Sequence, residues 1–125
     1  MAQPAAAKSP AFNKNVNIAL WALQVLAAAA FLAAGIPKLA GAAQMVDVFQ
    51  KVGIGQWFRY VTGSLEILGA IGLLIPRYTF YAASLLAIIM VGALVAVFAV
   101  LGGSPAPAAV LLLITAAIAY LRRPR

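Results

Sequence analysis

Few side chains in this sequence can do chemistry, and they are easily named. There is no cysteine and no histidine, and the only acids among 125 residues are Asp47 and Glu66. Thiol redox chemistry, disulfides, thiolate ligation and imidazole acid-base work are excluded. Glu66 lies near the middle of "WFRYVTGSLEILGAIGLLIP", a run that is otherwise almost hydrocarbon. A carboxylate balanced between desolvation and a neighbouring cation can bind a polar ligand head or exchange a proton. Two cations come into consideration. Arg59 precedes it by seven residues, ~10 Å along a helix axis, and Lys38 follows the previous apolar run. Thr62 and Gly63 lie one turn before Glu66 on the same helical face, and Gly35 one turn before Lys38. Lys38, Arg59 and Glu66 are therefore expected to converge on a polar pocket, with Gly35, Thr62 and Gly63 in support. The alternative is structural: an ion pair, or a carboxyl bonded to a backbone carbonyl, that only fixes helix register. No nucleophile–base pair, metal cluster or phosphate loop is present, so neither catalytic residues, a metal site, a covalent cofactor nor an independent enzyme is expected.

These residues must be positioned by membrane-spanning elements. The chain is 66% hydrophobic and 9% charged, against roughly 45–50% and about 25% in soluble domains. Four apolar runs, at about 16–36, 57–75, 80–101 and 106–121, are each taken as a transmembrane helix. The expected fold is an all-α integral membrane four-helix bundle over 16–121. It is flanked by a disordered basic tail at 1–15 and a basic tail at 122–125. Gly35 and Pro37 predict a break or kink after the first span. A signal peptide is the competing reading of that span, disfavoured because the apolar run is long for a signal core. Between spans one and two, Met45, Phe49 and Val52 share one helical face, opposite Gln44, Asp47, Gln50 and Lys51. That pattern predicts a short amphipathic helix, either lying at the interface or capping the bundle.

The net charge of +7 reads as orientation signals and contacts with acidic lipid headgroups, not as nucleic-acid binding. One side of a four-span bundle carries Lys8, Lys14, Arg77, Arg122, Arg123 and Arg125; the other carries Lys38, Lys51 and Arg59. Six against three puts both termini in the cytoplasm, and a bacterial inner membrane is the expected location. Small residues should mediate packing, with Ala29/Ala33 and Ala30/Ala34 in the first span and Gly92/Ala96 in the third. Gln24 and Thr115 are expected to make interhelical hydrogen bonds.

"FLAAGIPKLAG", "MVDVFQKVGIGQWFRYVTG" and "LEILGAIGLLIPR" resemble the DoxX-like membrane proteins in order and spacing, over about residues 18–121. Gly35, Lys38, Leu39, Gly63, Glu66 and Gly69 carry the likeness. The resemblance implies a four-helix membrane bundle. It further implies an accessory role in quinone-linked redox, with a quinone or lipid-like ligand or a membrane redox partner and electrons carried elsewhere, as by a non-catalytic oxidoreductase subunit. Two alternatives stay open: a small proton-coupled transporter, and a structural assembly factor. Partners are then the bilayer, a redox protein or further copies of the chain.

Overall fold

The computed structural model describes residues 13–124; most of the tail at 1–15, and Arg125, lie outside them. The described residues form helices and connecting turns, with no strand. Helix α1 spans Lys14–Ala40, α2 Ala43–Val52, α3 Trp57–Leu73, α4 Thr79–Ala96 and α5 Ala106–Leu121. A 3-10 turn, Pro76–Tyr78, makes the hairpin between α3 and α4, and α4 runs on as a π-helical turn, Val97–Leu101. The apolar runs and "PRY" predict these elements closely. Two stretches, Lys14–Ala40 and Pro76–Leu101, are long and apolar enough to cross a membrane. The second is no buried core helix, because only 11% of its most apolar window is inside the protein.

Helix α1 does not break at Pro37, contrary to expectation. Proline removes one i→i−4 bond, but the turn is held on both sides. Before it, Gly35 lies against α3; after it, Gly41 at φ 76° ends the helix with its N–H on the Pro37 carbonyl. At the other end the Asn13 side chain accepts from the Val16 N–H at 2.8 Å, a standard N-cap.

Helices α1 and α3 run antiparallel and make the most extensive contact in the fold. Glycine permits it. A Cβ on Gly35 would stand 2.9 Å from the Gly63 carbonyl oxygen, and one on Gly63 would stand 2.9 Å from Lys38 Cβ. The backbones therefore touch at this crossing, the close approach that small residues allow in membrane helices. Helix α4 packs on α3 and α5, and α5 returns to α1, closing the ring. The core is Ala27, Ala28 and Phe31 of α1 with Ala70, Leu73, Ala83, Leu86 and Ile118. On α1 the packing face is Leu20, Gln24, Ala27, Ala28, Phe31 and Gly35. Ala29 and Ala33 are exposed, and nothing lies within 4 Å of a Cβ on Gly92. The four-residue alanine spacing misled because alanine is frequent throughout α1, so spacing alone does not select a face.

Large apolar side chains such as Leu26, Leu68, Ile88, Val95, Phe98 and Leu113 are at least 60% exposed, far more apolar surface than a water-soluble fold displays. Enlarging the crossing should be costly: Gly63→Val is expected to lower stability by about 1–3 kcal/mol. Gly92→Ala, in open space, should not. Thermal loss of far-UV ellipticity in mild detergent measures both.

Candidate functional site

The α1–α3 crossing brings a cation to the acid. Gly35 and Lys38 are one turn apart on α1, as are Gly63 and Glu66 on α3, and the antiparallel register sets Gly35 against Glu66 and Lys38 against Gly63. Lys38 Nζ consequently lies 2.9 Å from Glu66 Oε1, with side-chain exposures of 13% and 2%. The ammonium also donates to the Ala34 carbonyl, one turn back on its own helix, at 3.1 Å. Lys38 thus reaches Glu66 from an intact last turn of α1, without the chain folding back. Glu66 Oε1 is held by this contact with the ammonium, the one polar partner of the carboxylate among the described residues. The carboxylate is neutralised but not saturated.

Arg59 takes a different part from the one expected. The residue is 5% exposed, and its guanidinium donates through Nε to Gln56 Oε1 at 2.9 Å and through Nη1 to the Lys38 backbone carbonyl. It also stands 4.4 Å from the centre of the Tyr60 ring. It forms no ion pair with Glu66. Arg59 therefore closes the C-terminal turn of α1, whose last carbonyls have no helical donor, and joins the cluster through Lys38. Arg59 is thus linked to Glu66 only by way of Lys38, through a backbone carbonyl that a sequence reading of charges does not contain.

Gly35 and Gly63 supply the approach of the two backbones. Thr62 is half-buried and spends its hydroxyl on the Phe58 carbonyl at 2.9 Å, so it offers no free donor to the pair. Gln56 extends the network outward, its amide donating to the Val46 carbonyl at 3.0 Å. Sequence reasoning passed over Gln56; its position three residues before Arg59, on one helical face, is the signal that was there. Beside it a hollow of about 470 Å³ is lined by Val46, Phe49, Gln50, Gly53, Gly55 and Gln56. Helix α2 roofs this hollow. Phe49 is its buried residue and packs 6.0 Å from Phe58, while Asp47 and Lys51 pair at 3.1 Å in the open, worth a few tenths of a kcal/mol.

A second polar cluster occupies the opposite end of the bundle. Gln24 is buried, donates to the Leu73 carbonyl at 2.7 Å and accepts from Arg122 Nε at 2.9 Å. The interhelical role expected of Gln24 is thus observed, whereas Thr115 bonds only within its own helix, to the carbonyls of Leu111 and Leu112. Arg122 is partly buried over the Trp21 ring, and that burial lowers its pKa below the usual arginine value. Among the described residues no group of three metal-ligating side chains occurs.

The model of the DoxX-like family matches residues 22–120, which takes in α2 to α4 whole, α1 from its third turn onward and all but the last residue of α5, and with them every residue of both clusters except Trp21 and Arg122. No curated protein and no solved structure gives a significant match. The chain belongs to the DoxX-like family and is a small membrane protein of that type.

The pair should behave as a unit. Lys38→Met alone leaves a buried carboxylate without its cation and is expected to cost about 3–5 kcal/mol. Adding Glu66→Gln should recover most of that loss, since what remains is a buried amide. A double-mutant cycle from denaturation in detergent reads the coupling; additive losses would mean that the two side chains do not depend on each other.

Proposed function

We propose that this DoxX-like protein is a non-catalytic membrane accessory that crosses the bilayer four times and receives the polar head of a quinone or lipid-like ligand at the Lys38–Glu66 pair. Four crossings follow from adding α3 and α5 to the two longer stretches. Their 17 and 16 residues give about 25 Å of helix, and flanking apolar residues such as Leu74 and Ile75 extend α3 further. The distribution of cations then directs both termini to the cytoplasm.

The observation that carries the ligand reading is a buried carboxylate with a single partner. Glu66 is 2% exposed, and the Lys38 ammonium 2.9 Å from Oε1 is its one polar partner among the described residues; a carboxylate accepts several hydrogen bonds, so a buried one in that state favours a donor from elsewhere. A quinol hydroxyl supplies one, while a quinone carbonyl accepts from the Lys38 ammonium. The pair therefore suits both oxidation states of such a head without changing them, and the electrons pass through a partner. The hollow beside Gln56 is the approach from the Lys38 end, and Gln56, Arg59 and the Lys38 carbonyl lead from it toward the pair. Exposed Trp57 and Tyr60 stand at the same end, where a docked partner would meet them.

Trp57 also offers the test. A short-chain ubiquinone should quench tryptophan fluorescence saturably in the wild-type protein. In Glu66→Gln, and in the Lys38→Met/Glu66→Gln double variant, the apparent Kd should weaken about tenfold or more, the equivalent of ~1.4 kcal/mol, with helicity unchanged. Wild-type affinity in both variants would rule the site out.

A further inference from the structure

The end of the bundle that carries the described termini has cations with no acid to meet them. Both acids of the chain are engaged elsewhere, Asp47 with Lys51 and Glu66 with Lys38. Arg122 is tied to Gln24 and Arg123 to the Tyr120 carbonyl. Arg77, in the 3-10 turn between α3 and α4, has its guanidinium 5.5 Å from the centre of the Tyr78 ring. Tyr78 is in turn one wall of an open groove of about 310 Å³ between the two helices. Leu68, Ile75 and Leu85 form the apolar sides, and Tyr81 stands with Tyr78 at the Arg77 end. The floor is set where a Cβ on Gly72 would be 2.8 Å from Ala82 Cβ, so the groove is shallow and hydrocarbon-lined, and exposed Arg77 stands beside it, against the ring of its lining residue Tyr78.

We propose that this groove binds an anionic phospholipid of the adjoining leaflet, one acyl chain lying between α3 and α4 and the phosphate on Arg77. Charge decides among occupants. A second copy of the chain has net charge +7 and no unpaired acid, so it brings no carboxylate to Arg77. A quinone is uncharged and leaves the guanidinium uncompensated. A zwitterionic lipid carries its own ammonium, which offsets the phosphate. Only a net-negative headgroup on an acyl chain satisfies both the arginine and the apolar groove. One basic residue near a headgroup contributes about 1 kcal/mol, which is a preference of about fivefold.

Native mass spectrometry of the full chain released from detergent micelles tests this, with phosphatidylglycerol and phosphatidylcholine of identical acyl chains as probes. The wild-type protein should retain phosphatidylglycerol about fivefold more than phosphatidylcholine. Arg77→Gln should remove the preference, Arg77→Lys should keep most of it, and Arg123→Gln should leave it intact. Leu68→Trp, on the exposed wall, should reduce retention of both lipids. Equal retention of the two lipids by the wild-type protein overturns the proposal, as does a preference that survives Arg77→Gln or is lost in Arg123→Gln. The ubiquinone titration at the other end addresses a separate set of residues, so either proposal can fail without the other.

Discussion

The antiparallel contact of α1 and α3 at Gly35 and Gly63 is the constraint on which the rest depends. Each glycine sits one turn before a charged residue, and antiparallel register carries Lys38 to one glycine and Glu66 to the other. With any Cβ at either glycine the helices would stand further apart, and a 2.9 Å contact between an ammonium and a carboxylate would have to be made across a wider gap. Close backbone packing and the ion pair are therefore one feature. Burying a carboxylate away from water is costly unless it is paired, and this crossing is where the cost of burying Glu66 is offset.

The same pair of helices settles its loose ends reciprocally. The last carbonyls of a helix lack donors, and in hydrocarbon no water replaces them. Arg59 of α3 donates to the Lys38 carbonyl in the last turn of α1, and Gln24 of α1 donates to the Leu73 carbonyl that ends α3. Thr79 adds a second donor to Leu73 at 3.2 Å. Each helix thus closes the C-terminal end of its antiparallel neighbour, with a long polar side chain that a bilayer would otherwise exclude. The buried polar residues Gln24, Arg59 and Glu66 are all accounted for by the relation between these two helices.

Much of this was legible in the sequence. Apolar run length and the Gly/Pro turns located the helices, because hydrophobic length is a long, redundant signal. The inward face of α3, expected from 3.6-residue periodicity to hold Arg59, Thr62, Gly63, Glu66, Gly69 and Ala70, is the buried face apart from half-buried Thr62. What was not legible is informative. Pro37 inside α1 signals a break by local rules, and only the tertiary contact at Gly35 and the cap at Gly41 show why the helix persists. Arg59 was matched to Glu66 because charges attract, yet the nearer unsatisfied group was a backbone carbonyl, which leaves no trace in composition. On α1, alanines at four-residue spacing, Ala29/Ala33 and Ala30/Ala34, lie away from the buried face, on which Ala27 and Ala28 pack beside Leu20, Gln24, Phe31 and Gly35, so the packing face could not be chosen without a partner helix.

Charge placement links the two ends of the molecule. A chain with nine basic residues and two acids can compensate only two cations internally, and both compensated ones, Lys38 and Lys51, lie at the end away from the termini. The termini end keeps Arg77, Arg122 and Arg123 without a carboxylate, each resting instead on an aromatic ring: Tyr78, Trp21 and Tyr120. Aromatic faces attract cations and also favour the headgroup layer, so the rings hold these arginines in place without a carboxylate. One end thus pairs two of its three cations with carboxylates and leaves Arg59 on the Lys38 carbonyl and Gln56. The other must find its counter-charge outside the chain. That asymmetry separates an end where both acids are paired from an end that holds arginines on aromatic rings.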